Sequence, residues 1–178
     1  MKGHKWIIDY RDFLEGKITD NKNRHVKDIL SYNNLKLETC HNYIQIMFPT
    51  DIQSEYNNIH PISPIQIEEL KQSEVGIDNI HKMYEKMLKF WKLDGDNYKK
   101  WDKIFRHWNT TYNHNYQRMT RLLNCFKILE LTDLFDDFSM RLKYIINEYK
   151  SGNPKIHLND TTVEYWNSYI KPQGFILN

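Results

Sequence analysis

The sequence contains no alanine. The best helix former is therefore missing, and any helix must lean on Leu, Lys, Glu, Gln and Met and on packed aromatic faces. Cysteine is nearly absent too: Cys40 and Cys125 are the only two. That excludes a disulfide scaffold and predicts reduced thiols, packed as small hydrophobes, in an intracellular protein. Six Gly and five Pro in 178 residues exclude collagen-like, mucin-like and linker compositions. Long apolar runs are lacking. The stretch Ile44 to Phe48 is already interrupted by Gln45, whereas a membrane-spanning helix needs about 20 apolar residues. Met1-Lys2-Gly3-His4-Lys5 carries charge but leads into no apolar segment, so no signal peptide is expected. Neither charge dominates: 25 basic and 23 acidic residues give +2, which excludes a strongly basic nucleic-acid coat but not a local patch.

What is present is aromatic and helical. Hydrophobic residues make up 40% of the chain and aromatics 14%, enough for a full core. Apolar positions recur every three to four residues almost throughout. Trp6, Tyr10, Phe13 and Leu14 predict a short first helix, and Val26, Ile29 and Leu30 another turn or two. From Asn34 to Phe48, Leu37, Cys40, Tyr43, Ile44, Met47 and Phe48 share one arc that Pro49 stops. Ser63-Pro64-Ile65-Gln66 is a capping box with Pro at the first helical position, opening a short helix to about Ser73. Ile77, Ile80, Tyr84, Met87, Leu88 and Trp91 give the cleanest amphipathic stripe, and Trp101, Ile104, Phe105 and Trp108 predict one more short helix. A long helix is expected from His114 to Leu131, then a second capped by Thr132 and ended by Gly152 and Pro154. Val163, Trp166 and Ile170 mark a final one, and residues 174–177 alone read as strand-like. The expected architecture is all-α, a single compact multi-helix domain over residues 1–178.

Chemical motifs are mostly missing. The chain has no phosphate loop, GxGxxG, GxSxG, HExxH or CxxC, so no catalytic residue, cofactor or metal is assigned. Two segments stand out. His41-Asn42-Tyr43-Ile44-Gln45-Ile46-Met47-Phe48-Pro49 places His41 and Gln45 as i, i+4 neighbours at the edge of an apolar arc. Asn113-His114-Asn115-Tyr116-Gln117-Arg118-Met119-Thr120-Arg121-Leu122-Leu123 lines His114, Arg118 and Arg121 along one stripe of a helix. The chain has six arginines, so two on one stripe beside a histidine is a concentrated placement. Burying both apolar faces against one core brings the two polar edges together. The candidate ligand-binding residues are therefore His41, Gln45, His114, Asn115, Arg118 and Arg121.

These two segments also carry a family resemblance. His-Asn-Tyr-Ile-Gln-x-x-Phe-Pro, followed by His-Asn-x-x-Arg-x-Thr-Arg-Leu-Leu, resembles the opioid growth factor receptor conserved domain. Asp9 to Leu30, Ile59 to Glu69, Met83 to Leu93 and Thr162 to Trp166 resemble further stretches, so the likeness covers about residues 6–170. It implies a helical domain with a receptor-like or regulatory role. Two positions depart: Ile46 stands where the family usually has Trp, and Trp91-Lys92 where it has Tyr-Gly. The repeat-containing tail of the animal receptors is not among these 178 residues, and their enkephalin binding is not carried over.

Three classes of function remain open. One is a binding module recognising a peptide, a protein or a small anionic ligand in a groove between the two motif helices. The second is an enzyme acting on a phosphate- or carboxylate-bearing substrate, with His41 or His114 as acid or base and Arg118 and Arg121 as anion clamps. No nucleophile–base–orienter set is legible for it. The third is nucleic-acid binding through the Lys82, Lys86, Lys89 and Lys92 face, which lacks interleaved aromatics. The bland alternative is structural: His41 with Gln45 as a buried polar pair, and arginines satisfying acids or helix-end carbonyls.

Overall fold

The computed structural model describes residues 6–53, 59–100 and 107–170. Nine α-helices form among these residues: α1 Tyr10–Leu14, α2 Val26–Leu30, α3 Asn34–Thr39, α4 Ile44–Met47, α5 Pro64–Lys71, α6 Glu74–Trp91, α7 His114–Ile128, α8 Thr132–Lys150 and α9 Asp160–Ile170. A 3-10 turn, Asn97–Lys99, follows α6. The only extended pairing among the described residues is a single parallel bridge between Trp6 and Ile59. The architecture is all-α.

Local chemistry explains the longer elements. Ser63 Oγ accepts from the Gln66 amide while Gln66 Oε1 accepts from the Ser63 amide, both at 3.3 Å, closing the capping box at the start of α5. Ser73 then acts as the N-cap of α6 through the Gly76 amide. A side chain at Gly76 would meet Ser73 Oγ at 2.8 Å, so this turn needs a glycine for close approach. Asn113 caps α7.

A seam of aromatic rings joins the layers. Phe126 of α7 meets Phe48 just after α4, Tyr84 of α6 and Phe138 of α8 edge to face, with centroids 5.2–6.5 Å apart. Trp91 stacks on Phe138 at 6.1 Å. Such pairs contribute beyond their buried area and substitute for the small-residue helix packing that an alanine-free chain cannot use. α6 packs on α1, α2 and α5, while α7 packs on α8 and α9.

Several local expectations are corrected. The stretch from Asn34 to Phe48 is not one helix but two, α3 and α4, separated by an extended turn at Cys40. His41 and Gln45 therefore do not face each other across a helical turn. His and Asn are weak helix formers, and the Asn42 side chain accepts from Arg24 Nη1 at 2.8 Å instead of projecting from a helix. Trp6 lies outside α1, on the bridge to Ile59. Leu131, not Thr132, occupies the cap position of α8, and α5 ends at Lys71, because Ser73 is taken as the cap of α6. The helix expected around Trp101–Trp108 falls mainly on residues 101–106, outside the described residues, while Trp108 sits in a turn. The strand-like residues 174–177 also lie outside the described residues.

Candidate functional site

The break between α3 and α4 leaves main-chain carbonyls that a continuous helix would have used internally. α7 supplies their donors. Arg118 is 4% exposed, and its Nη1 donates to the Leu37 carbonyl at 2.9 Å while Nη2 donates to the Cys40 carbonyl at 3.1 Å. A longer contact reaches the Glu38 carbonyl, and the guanidinium lies over the Tyr43 ring at 5.5 Å. Three residues on, Arg121 Nε donates to the Phe48 carbonyl at 2.8 Å and Nη2 reaches the Gln45 carbonyl at 3.4 Å. One face of α7 thus closes the C-terminal ends of two short helices. The planar five-donor guanidinium suits this work, which one ammonium could not do.

Asn115 fixes the same seam from below. Fully buried, it accepts the Trp91 indole N–H at 3.0 Å and an Arg118 Nη1 bond at 3.2 Å on one oxygen. Trp108 donates its own indole to the Trp91 carbonyl at 2.9 Å. The Trp91 indole N–H thus ties α6 to α7. The adjacent Lys92 adopts a left-handed φ of +58°, which terminates α6 with the Leu93 amide bonded to the Leu88 carbonyl.

At the surface edge of the seam, imidazoles gather round one carboxylate. Glu38 Oε1 stands 3.1 Å from His114 Nε2, and Oε2 stands 3.3 Å from His107 Nε2. His41 meets His114 edge to face with centroids 5.1 Å apart, and its Nδ1 is 3.4 Å from Arg118 Nη2. Burial holds His107 below its ordinary pKa against the opposing pull of Glu38, with Arg118 and Lys92 adding to the lowering. Burial also lowers His114, and Arg118 reinforces it. Among the described residues, no three of these groups converge as a metal site.

The structure accordingly brings His41, His114, Asn115, Arg118 and Arg121 to one seam. Gln45 joins through its carbonyl only; its side-chain Oε1 is buried without a hydrogen-bond partner. Sequence reasoning read Trp91 only as a stripe residue and a departure from the family pattern, and it missed Glu38 and His107, which carry no motif and come from separate parts of the chain. It also missed Arg141, whose Nη1 donates to the Leu93 and Gly95 carbonyls at 2.6 and 2.7 Å and so closes the end of α6. The i, i+4 spacing of Asp137 and Arg141 was a usable signal, since that pair orients the guanidinium.

Fold and seam together define an all-α module in which one helix carries two arginines that close a broken partner segment. The opioid growth factor receptor (OGFr) conserved region matches residues 12–174, and the chain belongs to that family. Opioid growth factor receptor-like protein 1 of Mus musculus is 29% identical over 139 residues, covering 74% of this chain. Its counterpart in Rattus norvegicus matches equally. The chain spans 29% of the length of these curated relatives. No solved structure matches the chain. Among the described residues, no helix is long and apolar enough to cross a membrane.

Proposed function

We propose that this chain is a non-enzymatic binding module of the receptor-like type, taking a peptide or protein segment along the edge between the Leu37–Phe48 segment and α7. The observation that supports it is the division of labour within the seam. Arg118 and Arg121 direct donors to main-chain carbonyls, leaving the rim of His41, Glu38 and His114 as the polar surface presented to a partner. The side chains of Glu38 and His114 are 34% and 38% exposed, enough to exchange their mutual contact for a partner's amides. A small anion is the weaker ligand, because the guanidinium donors it needs are engaged by backbone oxygens. The relatives' name refers to an opioid growth factor, and a peptide of that class is the first probe. Amide chemical-shift titration with such a peptide is expected to move resonances around Glu38, His41 and His114, and Glu38→Gln should weaken binding about tenfold. Shifts absent from this edge, or confined to α9, would refute the reading.

A further inference from the structure

We propose that the His41–Arg118 contact is an acid-released latch: protonation of the His41 imidazole removes the acceptor facing Arg118 and loosens the Cys40–Tyr43 break from α7. The latch belongs to this chain's own conformation and does not depend on what the module binds.

His41 Nδ1 lies 3.4 Å from Arg118 Nη2. An arginine guanidinium only donates, so the contact is attractive in the tautomer that leaves the lone pair on Nδ1 and the proton on Nε2. Doubly protonated imidazole has no lone pair to offer. Acid therefore turns this attraction into a contact between two like charges, one of which, Arg118, cannot discharge. His41 itself is exposed, so protons reach it without any opening step.

The surrounding groups do not cancel the added charge. On α3, Glu38 is the nearby carboxylate, and it is already shared between His107 and His114. The turn before α7 supplies His107, and α7 supplies His114 and Arg118. Lys92, at the end of α6, adds positive potential at His107. Behind the break, Arg24 is paired with Asp20 and bonded to Asn42, so that side is close to self-compensated. Tyr43, beneath Arg118, stays a neutral phenol because burial raises its pKa. In acid, up to three imidazolium groups thus join Arg118 and Lys92 around one carboxylate. The segment they push on is weakly held: α3 and α4 are six and four residues long, and their ends depend on Arg118 and Arg121.

Amide hydrogen exchange on the whole chain at about pH 7.5 and about pH 5.5, corrected for intrinsic rates, tests this. Protection over Leu37–Met47 should fall about tenfold more than that of α8 at the lower pH, beyond any loss the whole fold shares. His41→Gln retains an acceptor oxygen but cannot titrate, and it should remove most of that excess loss. No excess loss over α8 in the wild type, or the same excess in His41→Gln, would overturn the proposal. Imidazole nitrogen resonances of the unaltered protein give a second check that needs no variant. His41 should carry its proton on Nε2 at neutral pH, and a protonated Nδ1 there would also overturn it.

Discussion

Arg118 donates Nη1 to the main-chain carbonyl of Leu37, 81 positions earlier in the chain, at 2.9 Å. With the Cys40 carbonyl and Asn115 Oδ1 it forms a buried, charge-assisted network. Arg118→Ala leaves carbonyls stranded beside a cavity and should lower stability by about 3 kcal/mol or more. Arg118→Lys should recover only part of this, because one ammonium cannot span both carbonyls in a plane. Urea denaturation of the three proteins measures it. A wild-type midpoint for Arg118→Ala would mean the guanidinium is kept for a ligand.

Arg121→Ala is expected to be milder, about 1–3 kcal/mol, the range for leaving a buried polar partner unmet. Its bonds to the Phe48 and Gln45 carbonyls close α4, but the Phe48–Phe126 ring contact remains to hold that end of the segment. Thermal unfolding reads the difference. No change in stability would move Arg121 from scaffold to binding residue.

How far the sequence reached can be judged at this seam. The stripe of His114, Arg118 and Arg121 was legible because helical periodicity alone places residues four and seven apart on one face. The break at Cys40–Tyr43 was not, because the apolar arc from Leu37 to Phe48 satisfies a helix as well as it satisfies two short helices. Tertiary donors decide between them, and those lie on α7. Local periodicity also could not show that Glu38 meets His107 across 69 positions, since no spacing rule links them. The capping box, by contrast, is written within four consecutive residues, and Ser63–Gln66 folded as its pattern predicts.

The two thiols should separate in reactivity. Cys125 is fully buried on α7, and burial drives its thiol pKa far up despite Arg121 nearby. Cys40, at the α3 end, is half-buried, with Arg24 Nη1 at 3.4 Å from its sulfur. The expectation that both are free thiols packing as small hydrophobes holds fully for Cys125, while Cys40 packs against the core but is only half-buried. One equivalent of thiol reagent should react with the native protein at Cys40, and the second only after denaturant is added. Two slow thiols, or early labelling of Cys125, would contradict this packing.

Stability should decline on the acid side of neutrality. The folded pKa values of His107 and His114 lie below the ordinary value of 6.5, so the unfolded chain takes up protons first. The sign follows: their contribution is present above pH 6.5 and is lost as pH falls through 6.5 toward the folded values. Asp137 acts lower down. Burial opposes its ionisation, but bonds from Arg141 and Tyr84 win and hold it below 3.8, so its contribution is lost only in stronger acid. The thermal midpoint should therefore fall in two stages, and His107→Gln with His114→Gln should flatten the first. A midpoint constant from about pH 7 to pH 5 would contradict the first stage.

Lys92 offers a test in the stabilising direction. It ends α6 with φ +58°, where a side chain crowds the following carbonyl and glycine does not. Its own side chain is exposed, and among its described contacts the cap is made by its backbone amide, to the Leu88 and Lys89 carbonyls. Replacing it should thus remove strain without removing the cap. The cost of extra freedom in the unfolded chain offsets part of the gain. Lys92→Gly should raise stability by about 0.5–1 kcal/mol. It should also raise the pKa of His107, because a positive charge acting on that imidazole is gone. Both readouts come from one variant: denaturant titration for the backbone, and histidine NMR titration for the charge. A loss of stability, with His107 unmoved, would show that Lys92 is held there by contacts its side chain makes.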